Sequence, residues 1–153
     1  MLSVKPFRQR PGFCGPASLK MVLSYFGVEK SENDLVKLSG CSKAEGVGAK
    51  GVVKAAKSLG FRAFVRDFSG VEDIKGFVKK GIPVIVDWFS VDEGHYSVVV
   101  SIDQRKIYLQ DPEIGRLRVM KLDEFKRVWF DFPGRFLRSK NDIIIRRMIV
   151  VHR

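Results

Sequence analysis

The stretch RQRPGFCGPASLKMVLSYFG, residues 8–27, joins a cysteine-containing turn to an apolar run with helical spacing. Four apolar residues recur at i, i+3, i+4 and i+7, the spacing of one helix face, and they are Leu19, Val22, Leu23 and Phe26. The pattern predicts a helix from Cys14–Gly15 to Tyr25–Phe26, with Gly27 as its C′ residue. This segment alone leaves open whether Cys14 packs in the core or reacts.

Length and composition indicate one folded domain over residues 1–153. The chain is 45% hydrophobic and contains 12 Phe, enough apolar side chains for a substantial core. No apolar run approaches the roughly 20 residues that span a bilayer, and the first ten residues lack the apolar stretch of a signal peptide. Two cysteines are too few for a disulfide scaffold. We therefore expect a soluble, cytoplasmic protein without a transmembrane segment.

The net charge of +11 favours acidic partners such as nucleic acid, an anionic membrane or an acidic peptide. The basic residues are spread along the chain, with small clusters in KPFRQR and RFLRSK. No zinc-finger spacing, RGG tract or RNA-binding aromatic signature accompanies them. We therefore expect no specific nucleic-acid binding, and a peptide or protein substrate with a preference for acidic sequences.

Helical patterns dominate the first half of the chain and strand patterns the second. The further predicted helices are 31–40, with Ser31 as N-cap and Asp34 at N3, then 50–59 and 70–81. The predicted strands are 61–68, 82–90, 94–103, 105–112 and 141–153, with a short helical segment over 121–130. This order predicts an α+β fold in which N-terminal helices pack on a C-terminal antiparallel sheet.

Cys14 stands where the first predicted helix begins. Free backbone N–H groups and the positive end of the helix dipole at that position favour a thiolate, the nucleophilic form of the side chain. Gly15 lets a substrate backbone approach closely, and Pro16 suits the first turn because no N–H is needed there. A small, buried, unreactive cysteine is the alternative.

His95 and Asp111 lie on the two strands of the predicted hairpin. The midpoint of their numbers is residue 103, at the predicted turn, so the two side chains should lie nearly opposite each other. Cross-strand Cβ atoms are about 4.5–5.5 Å apart, within reach of a carboxylate–imidazole hydrogen bond. A register slip of one residue would place them on opposite faces. The other histidine, His152, is the penultimate residue and is expected at the surface.

Cys14, His95 and Asp111 form a candidate catalytic set of nucleophile, general base and acid, and orienting carboxylate. Acyl transfer also requires donors for a tetrahedral oxyanion. Gln9 can provide a side-chain N–H group, and the backbone N–H of Cys14 can provide the second donor. A solvated loop residue is the alternative for Gln9, and Asp87 is the alternative orienting carboxylate.

Four segments together resemble the bacteriocin-processing, double-glycine leader peptidase-like domains of the papain-like cysteine peptidase superfamily. They are QRPGFCGPASLKMVLSYFG, GHYSVVVSID, IYLQDP and LDEFKRVW. The likeness runs from about Pro6 to Trp129. It implies a papain-like fold, and we interpret Phe125 and Trp129 as core residues.

The resemblance also implies the triad roles for Cys14, His95 and Asp111 and the oxyanion role for Gln9. The expected function is hydrolysis of a peptide bond through an acyl-enzyme at Cys14. One alternative is a catalytically silent peptide-binding or regulatory module on the same fold. Another is an acyl transferase or amidase that acts on a non-peptide substrate.

Three further features are interpreted as structural. Cys41 is expected to be a structural or exposed thiol, with a resolving partner for Cys14 as the alternative. The Gly-rich GVGAKG, residues 46–51, lacks the Walker spacing and predicts a turn, or a border of the cleft in a papain-like arrangement. Two cysteines and two histidines at scattered positions do not suggest a metal site, and no cofactor is expected.

Overall fold

A computed structural model describes residues 1–91 and 93–153 as a six-stranded antiparallel sheet with helices on both faces. The helices are α1 (Cys14–Tyr25), α2 (Glu32–Ser39), α3 (Ala49–Ser58), α4 (Val71–Lys79) and α5 (Leu122–Val128). The strands are β1 (Arg62–Arg66), β2 (Val84–Phe89), β3 (Gly94–Ile102), β4 (Lys106–Asp111), β5 (Arg116–Lys121), β6 (Phe130–Asp131), β7 (Ile144–Ile145) and β8 (Arg147–His152). The sheet order is β1-β8-β2-β3-β4-β5, and β6 and β7 form a separate two-stranded pair.

The helices begin and end where local signals predicted. Ser31 caps α2, because its Oγ accepts a hydrogen bond of 3.1 Å from the backbone N–H of Asp34. Gly27 and Gly40 follow α1 and α2 with φ of +85° and +71°, a left-handed conformation that glycine adopts without strain. Within residues 1–91 and 93–153, no helix is long and apolar enough to cross a membrane.

Two apolar cores lie on opposite faces of the sheet, since successive strand residues alternate between them. The first core packs α1, α2 and α3 against side chains that include Ile85, Tyr96 and Val98. The second packs α4 and α5 against the other face. Phe125 and Trp129 are fully buried in the second core, as the sequence predicted.

The chain departs from the predicted strands in two places. Strand β5 was not predicted, because RLRVMK carries three cations on a half-exposed edge of the sheet. The predicted strand over 141–153 is divided into a 3₁₀ turn, Lys140–Asp142, and strands β7 and β8. Arg146 separates the two strands with φ of +48°. Its N–H donates to the carbonyl of Trp129, which redirects the chain from β7 into the large sheet.

The hairpin of β3 and β4 contains a bulge in β3. Ile102 pairs with Ile107 beside the turn, but Val98 pairs with Gln110 further along, a shift of one residue. The register therefore differs from the predicted one, which centred the hairpin on Asp103.

The bulge determines which side chains share a face with Asp111. Continuing the pairing of Val98 with Gln110 places Ser97 across from Asp111, and His95 lies two residues further on the same face. Without the bulge, Val98 would lie across from Asp111, and His95 would point to the opposite face.

Gly94, the first residue of β3, has no room for a side chain. The Asp131 carboxylate lies against the Gly94 Cα, in the space that a Cβ would occupy. We predict that Gly94→Ala lowers the free energy of unfolding by about 1–3 kcal/mol through overpacking. Urea denaturation measures this cost.

Asp131→Ala should relieve part of that cost, so that the double variant is less destabilised than the sum of the single variants. Gly76→Ala is the matched control, since a Cβ at this α4 position meets nothing within 4 Å. It should raise stability by about 0.4–1 kcal/mol. Additive effects of Gly94→Ala and Asp131→Ala would contradict the prediction.

Candidate active site

An extended N-terminal segment positions the start of α1. The backbone N–H of Leu2 donates to the β3 carbonyl of Val100 at 2.9 Å. The carbonyl of Val4 accepts a hydrogen bond from the Gln110 side chain of β4 at 3.1 Å. The segment therefore lies across the β3–β4 hairpin and leads the chain to Cys14.

Cys14 is the first residue of α1, and Phe13 is the N-cap. No acidic residue lies in the first turn, so the positive end of the helix dipole is not neutralised there. Gly15 packs against Val47 and the ring of Tyr96, and a Cβ at this position would overlap Val47. Within the segment 46–51, Val47 therefore lies beside the start of α1, and residues 49–51 form the first turn of α3 rather than a turn between elements.

The structure brings Cys14, His95 and Asp111 together. The Nε2 atom of His95 lies 2.5 Å from Oδ1 of Asp111, and the Cys14 side chain lies close enough to His95 to raise the pKa of the imidazole. Because Nε2 is engaged by the carboxylate, Nδ1 is the ring nitrogen left to face the thiol. His95 is 5% exposed and Asp111 is 1% exposed.

The environment of His95 favours the imidazolium. Burial by itself would lower the pKa of His95, but the hydrogen bond with Asp111 and the neighbouring Cys14 side chain outweigh it and raise the pKa to about 10. Burial would raise the pKa of Asp111, but hydrogen bonds from His95 and Arg118 lower it below its ordinary value. The pair is therefore an imidazolium beside an ionised carboxylate at neutral pH.

Asp111 has two further partners that the sequence analysis did not identify. Nε of Arg118 donates to Oδ2 of Asp111 at 2.7 Å, and the backbone N–H of Glu113 donates to Oδ1 at 2.9 Å. Oε2 of Glu113 also lies 3.6 Å from Nε2 of His95. The sequence signal that could have identified these partners is the turn DPEIGR. Gly115 has φ of +68° in this turn and returns the chain into β5, the strand that carries Arg118.

Trp88 covers the imidazole. Its ring meets that of His95 edge-on, with centroids 5.7 Å apart and an interplanar angle of 69°. The indole N–H donates to the Ser97 hydroxyl at 3.0 Å, which fixes the ring. Trp88 also lines a groove of about 470 Å³ between the β2–β3 connection, β5 and α5, so the groove ends close to His95.

Gln9 lies beside the segment that follows Asp111. Its backbone N–H donates to the carbonyl of Pro112 at 2.8 Å. The side-chain Oε1 is buried and has no hydrogen-bond partner within the described parts of the chain. The structure thus places the Gln9 backbone beside Pro112, the residue after Asp111, and leaves one atom of the Gln9 amide unpaired.

Asp87, the alternative orienting carboxylate, is directed elsewhere. It is 2% exposed, and its neighbouring charged group is the Asp131 carboxyl rather than His95. Burial and this second carboxyl group raise the pKa of Asp87 well above its ordinary value. Asp111 is instead the carboxylate in contact with His95. Asp92, also close to His95 in sequence, lies outside the described residues.

The remaining titratable candidates show no second site among residues 1–91 and 93–153. Cys41 is a free thiol whose pKa is raised to about 11 by burial and by the neighbouring Cys14 and Glu32 side chains. Ligand atoms of His95, Asp111 and Glu113 lie within 4.8 Å of one another. We assign no metal to them, because Asp111 already accepts hydrogen bonds from a guanidinium, an imidazole and a backbone N–H.

The model of the Peptidase C39 family matches residues 8–132. The chain belongs to the Peptidase C39 family. It is 37% identical over 128 residues to an uncharacterized protein of Methanothermobacter marburgensis, a match that covers 80% of each chain. It is 29% identical over 126 residues to the lactococcin-G-processing and transport ATP-binding protein of Lactococcus lactis subsp. lactis. That match covers 80% of this chain and 17% of the transporter.

Solved peptidase domains of this C39 type have the same fold. The peptidase domain of Streptococcus ComA, a bi-functional ABC transporter, superposes with a TM-score of 0.77 at 24% identity, covering 97% of this chain and 98% of that domain. A double glycine motif protease from an AMS/PCAT transporter, solved in complex with the leader peptide, superposes with a TM-score of 0.76 at 23% identity. The match covers 99% of this chain and 92% of that protease. The predicted α+β, papain-like cysteine peptidase fold is confirmed.

The Asp87 carboxyl should make stability depend on pH. Because its pKa is raised in the folded state, its contribution to stability is present below the unfolded pKa of about 3.9 and is lost as pH rises through the folded pKa. Asp131, Tyr96, Arg147 and Cys14 face this group. We predict that Asp87→Asn is more stable than the wild type at pH 8 and has the smaller fall in Tm between pH 4 and 8.

Asp103→Asn is the control, because the Asp103 pKa is shifted in the opposite direction from that of Asp87. Backbone N–H groups of Arg105 and Lys106 donate to Asp103 and lower its pKa, so its contribution is present above the unfolded pKa and is lost as pH falls. Thermal unfolding across pH distinguishes the two variants. An unchanged pH slope in Asp87→Asn would show that the raised pKa does not govern stability.

Proposed function

We propose that this chain is a cysteine peptidase that cleaves a peptide bond through an acyl-enzyme at Cys14. The observation that carries the proposal is the placement of the Cys14 side chain beside His95, whose ring is in turn hydrogen-bonded to Asp111. A nucleophile, a base within hydrogen-bond reach and a group that orients the base are the elements of such a site. The family supports cysteine peptidase chemistry in general.

The proposed reaction has two halves. The Cys14 thiolate attacks the carbonyl carbon, and the resulting tetrahedral oxyanion collapses to a thioester as His95 donates its proton to the leaving amine. Water then enters, His95 removes a proton from it, and the hydroxide attacks the thioester carbonyl. The carboxylic acid product leaves, the thiolate is restored with a protonated His95, and Asp111 keeps the imidazole in one orientation throughout.

Gln9 and the backbone N–H of Cys14 are the proposed oxyanion donors. The position of Gln9 is fixed by its backbone hydrogen bond to Pro112. A buried amide atom without a partner is costly unless a ligand satisfies it. Rotation of the amide about χ3 would present Nε2–H in place of Oε1. That N–H group would then donate a hydrogen bond to an oxyanion formed at Cys14.

The proposed substrate is a peptide. Relatives with the same family domain carry names that combine processing and transport, and one solved neighbour holds a leader peptide. The net charge of +11 favours an acidic peptide or protein, and raised salt should then weaken binding. A cytoplasmic location remains part of the proposal.

We predict that Cys14→Ala abolishes both peptide hydrolysis and covalent labelling by a thiol-directed peptide electrophile. Removal of a catalytic nucleophile costs about 10⁴- to 10⁶-fold in turnover. Cys41→Ala is the matched control, because it removes the other free thiol and should retain labelling and turnover. Mass-spectrometric mapping identifies the labelled residue. Labelling at Cys41 alone would overturn the assignment, and peptide binding without cleavage would support the binding-module alternative.

The raised pKa of His95 predicts an alkaline limit to activity. The imidazolium is the proton donor to the leaving amine, so kcat/KM should fall as pH rises through about 10 and His95 loses its proton. A pH–rate profile with a peptide substrate measures this limit, and circular dichroism at each pH checks that the fold persists. An alkaline limit near the ordinary histidine pKa of about 6.5 would contradict the ion-paired state.

A further inference from the structure

Arg118 is the second cation on the Asp111 carboxylate. It lies on β5, where its backbone pairs with Leu109, and its side chain reaches diagonally to Asp111. The Arg118 side chain is 33% exposed, whereas the Asp111 side chain is fully buried. Arg118 is therefore placed between the solvent-facing edge of the sheet and the interior of the site.

Four side chains form a closed ring around this contact. The Arg118 guanidinium lies over the Trp88 ring at 5.7 Å, and Trp88 meets the edge of His95. His95 is joined to Asp111, and Asp111 returns to Arg118. Stacking on Trp88 holds the guanidinium in place independently of the ion pair. In this arrangement Oδ2 of Asp111 is held by Arg118, and Oδ1 of Asp111 is held by His95.

The ring places two cations, Arg118 and the His95 imidazolium, on the Asp111 carboxylate. Oε2 of Glu113, outside the ring, is a second carboxylate oxygen 3.6 Å from Nε2 of His95. An imidazolium that faced an undivided, buried carboxylate would bind its proton more tightly. A proton donor that is too weak an acid transfers its proton slowly to a leaving group. The guanidinium opposes this effect, because its positive charge lies on the far side of the same carboxylate.

We propose that Arg118 is a positioning residue that holds the Asp111 carboxylate and shares its charge, so that His95 can release its proton during turnover. The proposal rests on the proposed peptidase function for its catalytic consequence. The other half of the proposal, that Arg118 influences the His95 proton through Asp111, depends only on the ring of contacts and not on peptidase activity. Arg118 acts through its hydrogen bond with Asp111.

Histidine NMR provides the direct test. The chain has two histidines, so His152→Gln assigns the resonances without ambiguity. In Arg118→Gln the pKa of His95 should rise by about half a unit to one unit, because a positive charge near the imidazolium is removed. With a peptide substrate, kcat should fall by about tenfold or more while KM changes by less than about twofold, as expected for a proton-transfer defect.

Two further variants separate the effect of the Arg118 charge from the effect of its planar geometry and from the effect of the net charge of the protein. Arg118→Lys keeps the positive charge but loses the planar donor, so the His95 pKa should stay near the wild-type value while kcat falls by a smaller factor. Arg116→Gln removes the same charge from the same strand. Arg116 pairs with Asp111 across the ladder but is exposed, and its loss should change neither quantity.

The outcomes are distinct. An unchanged His95 pKa in Arg118→Gln, or an equal rise in Arg116→Gln, would overturn the proposal. If no variant or wild type cleaves peptide but the His95 pKa moves as expected, the proposed function fails and the positioning role stands. Should Arg118→Gln not fold, the Cζ carbon resonance of wild-type Arg118 decides. It should shift with the pKa of His95, and a resonance that does not follow the His95 titration would overturn the proposal.

Discussion

The bulge in β3 is the constraint on which the candidate site depends. Side chains alternate along a strand, so a shift of one residue exchanges the two faces. The turn alone would pair the strands so that His95 and Asp111 pointed away from each other. One extra residue in β3 restores the common face, at the cost of an irregular ladder near Val99. The hydrogen bond of 2.5 Å between the two side chains is the result.

Two buried carboxyl groups near His95 show how environment determines charge. Asp111 faces an imidazole and a guanidinium and accepts a backbone hydrogen bond, so ionisation is favoured and its pKa is lowered. Asp87 faces Asp131, so burial and a like group raise its pKa. The first group can balance an imidazolium, whereas the environment of the second favours the neutral carboxylic acid. Asp87 and Asp111 are thus buried to a similar extent, yet their neighbours shift the two pKa values in opposite directions.

The sequence predicted elements whose signals are local. The Ser31 cap, the glycines after helices and the apolar spacing of α1 all act within a few residues, and the observed helices agree with them. The β3–β4 register was not predictable, because a bulge depends on packing rather than on composition. Strand β5 was missed for a related reason, since its edge position leaves its alternation weak. Arg118 was missed with it.

The site draws on both faces of the sheet, which explains the sequence around His95. Neighbouring residues His95 and Tyr96 point to opposite faces. Tyr96 packs beside Gly15 and donates to the carbonyl of Val47 at 3.2 Å, which seats the start of α1. His95, on the opposite face from Tyr96, lies beside the Cys14 thiol and is hydrogen-bonded to Asp111. Consecutive residues of one strand thus position the helix and the base together. A change that shifted α1 would separate Cys14 from His95 without altering either side chain.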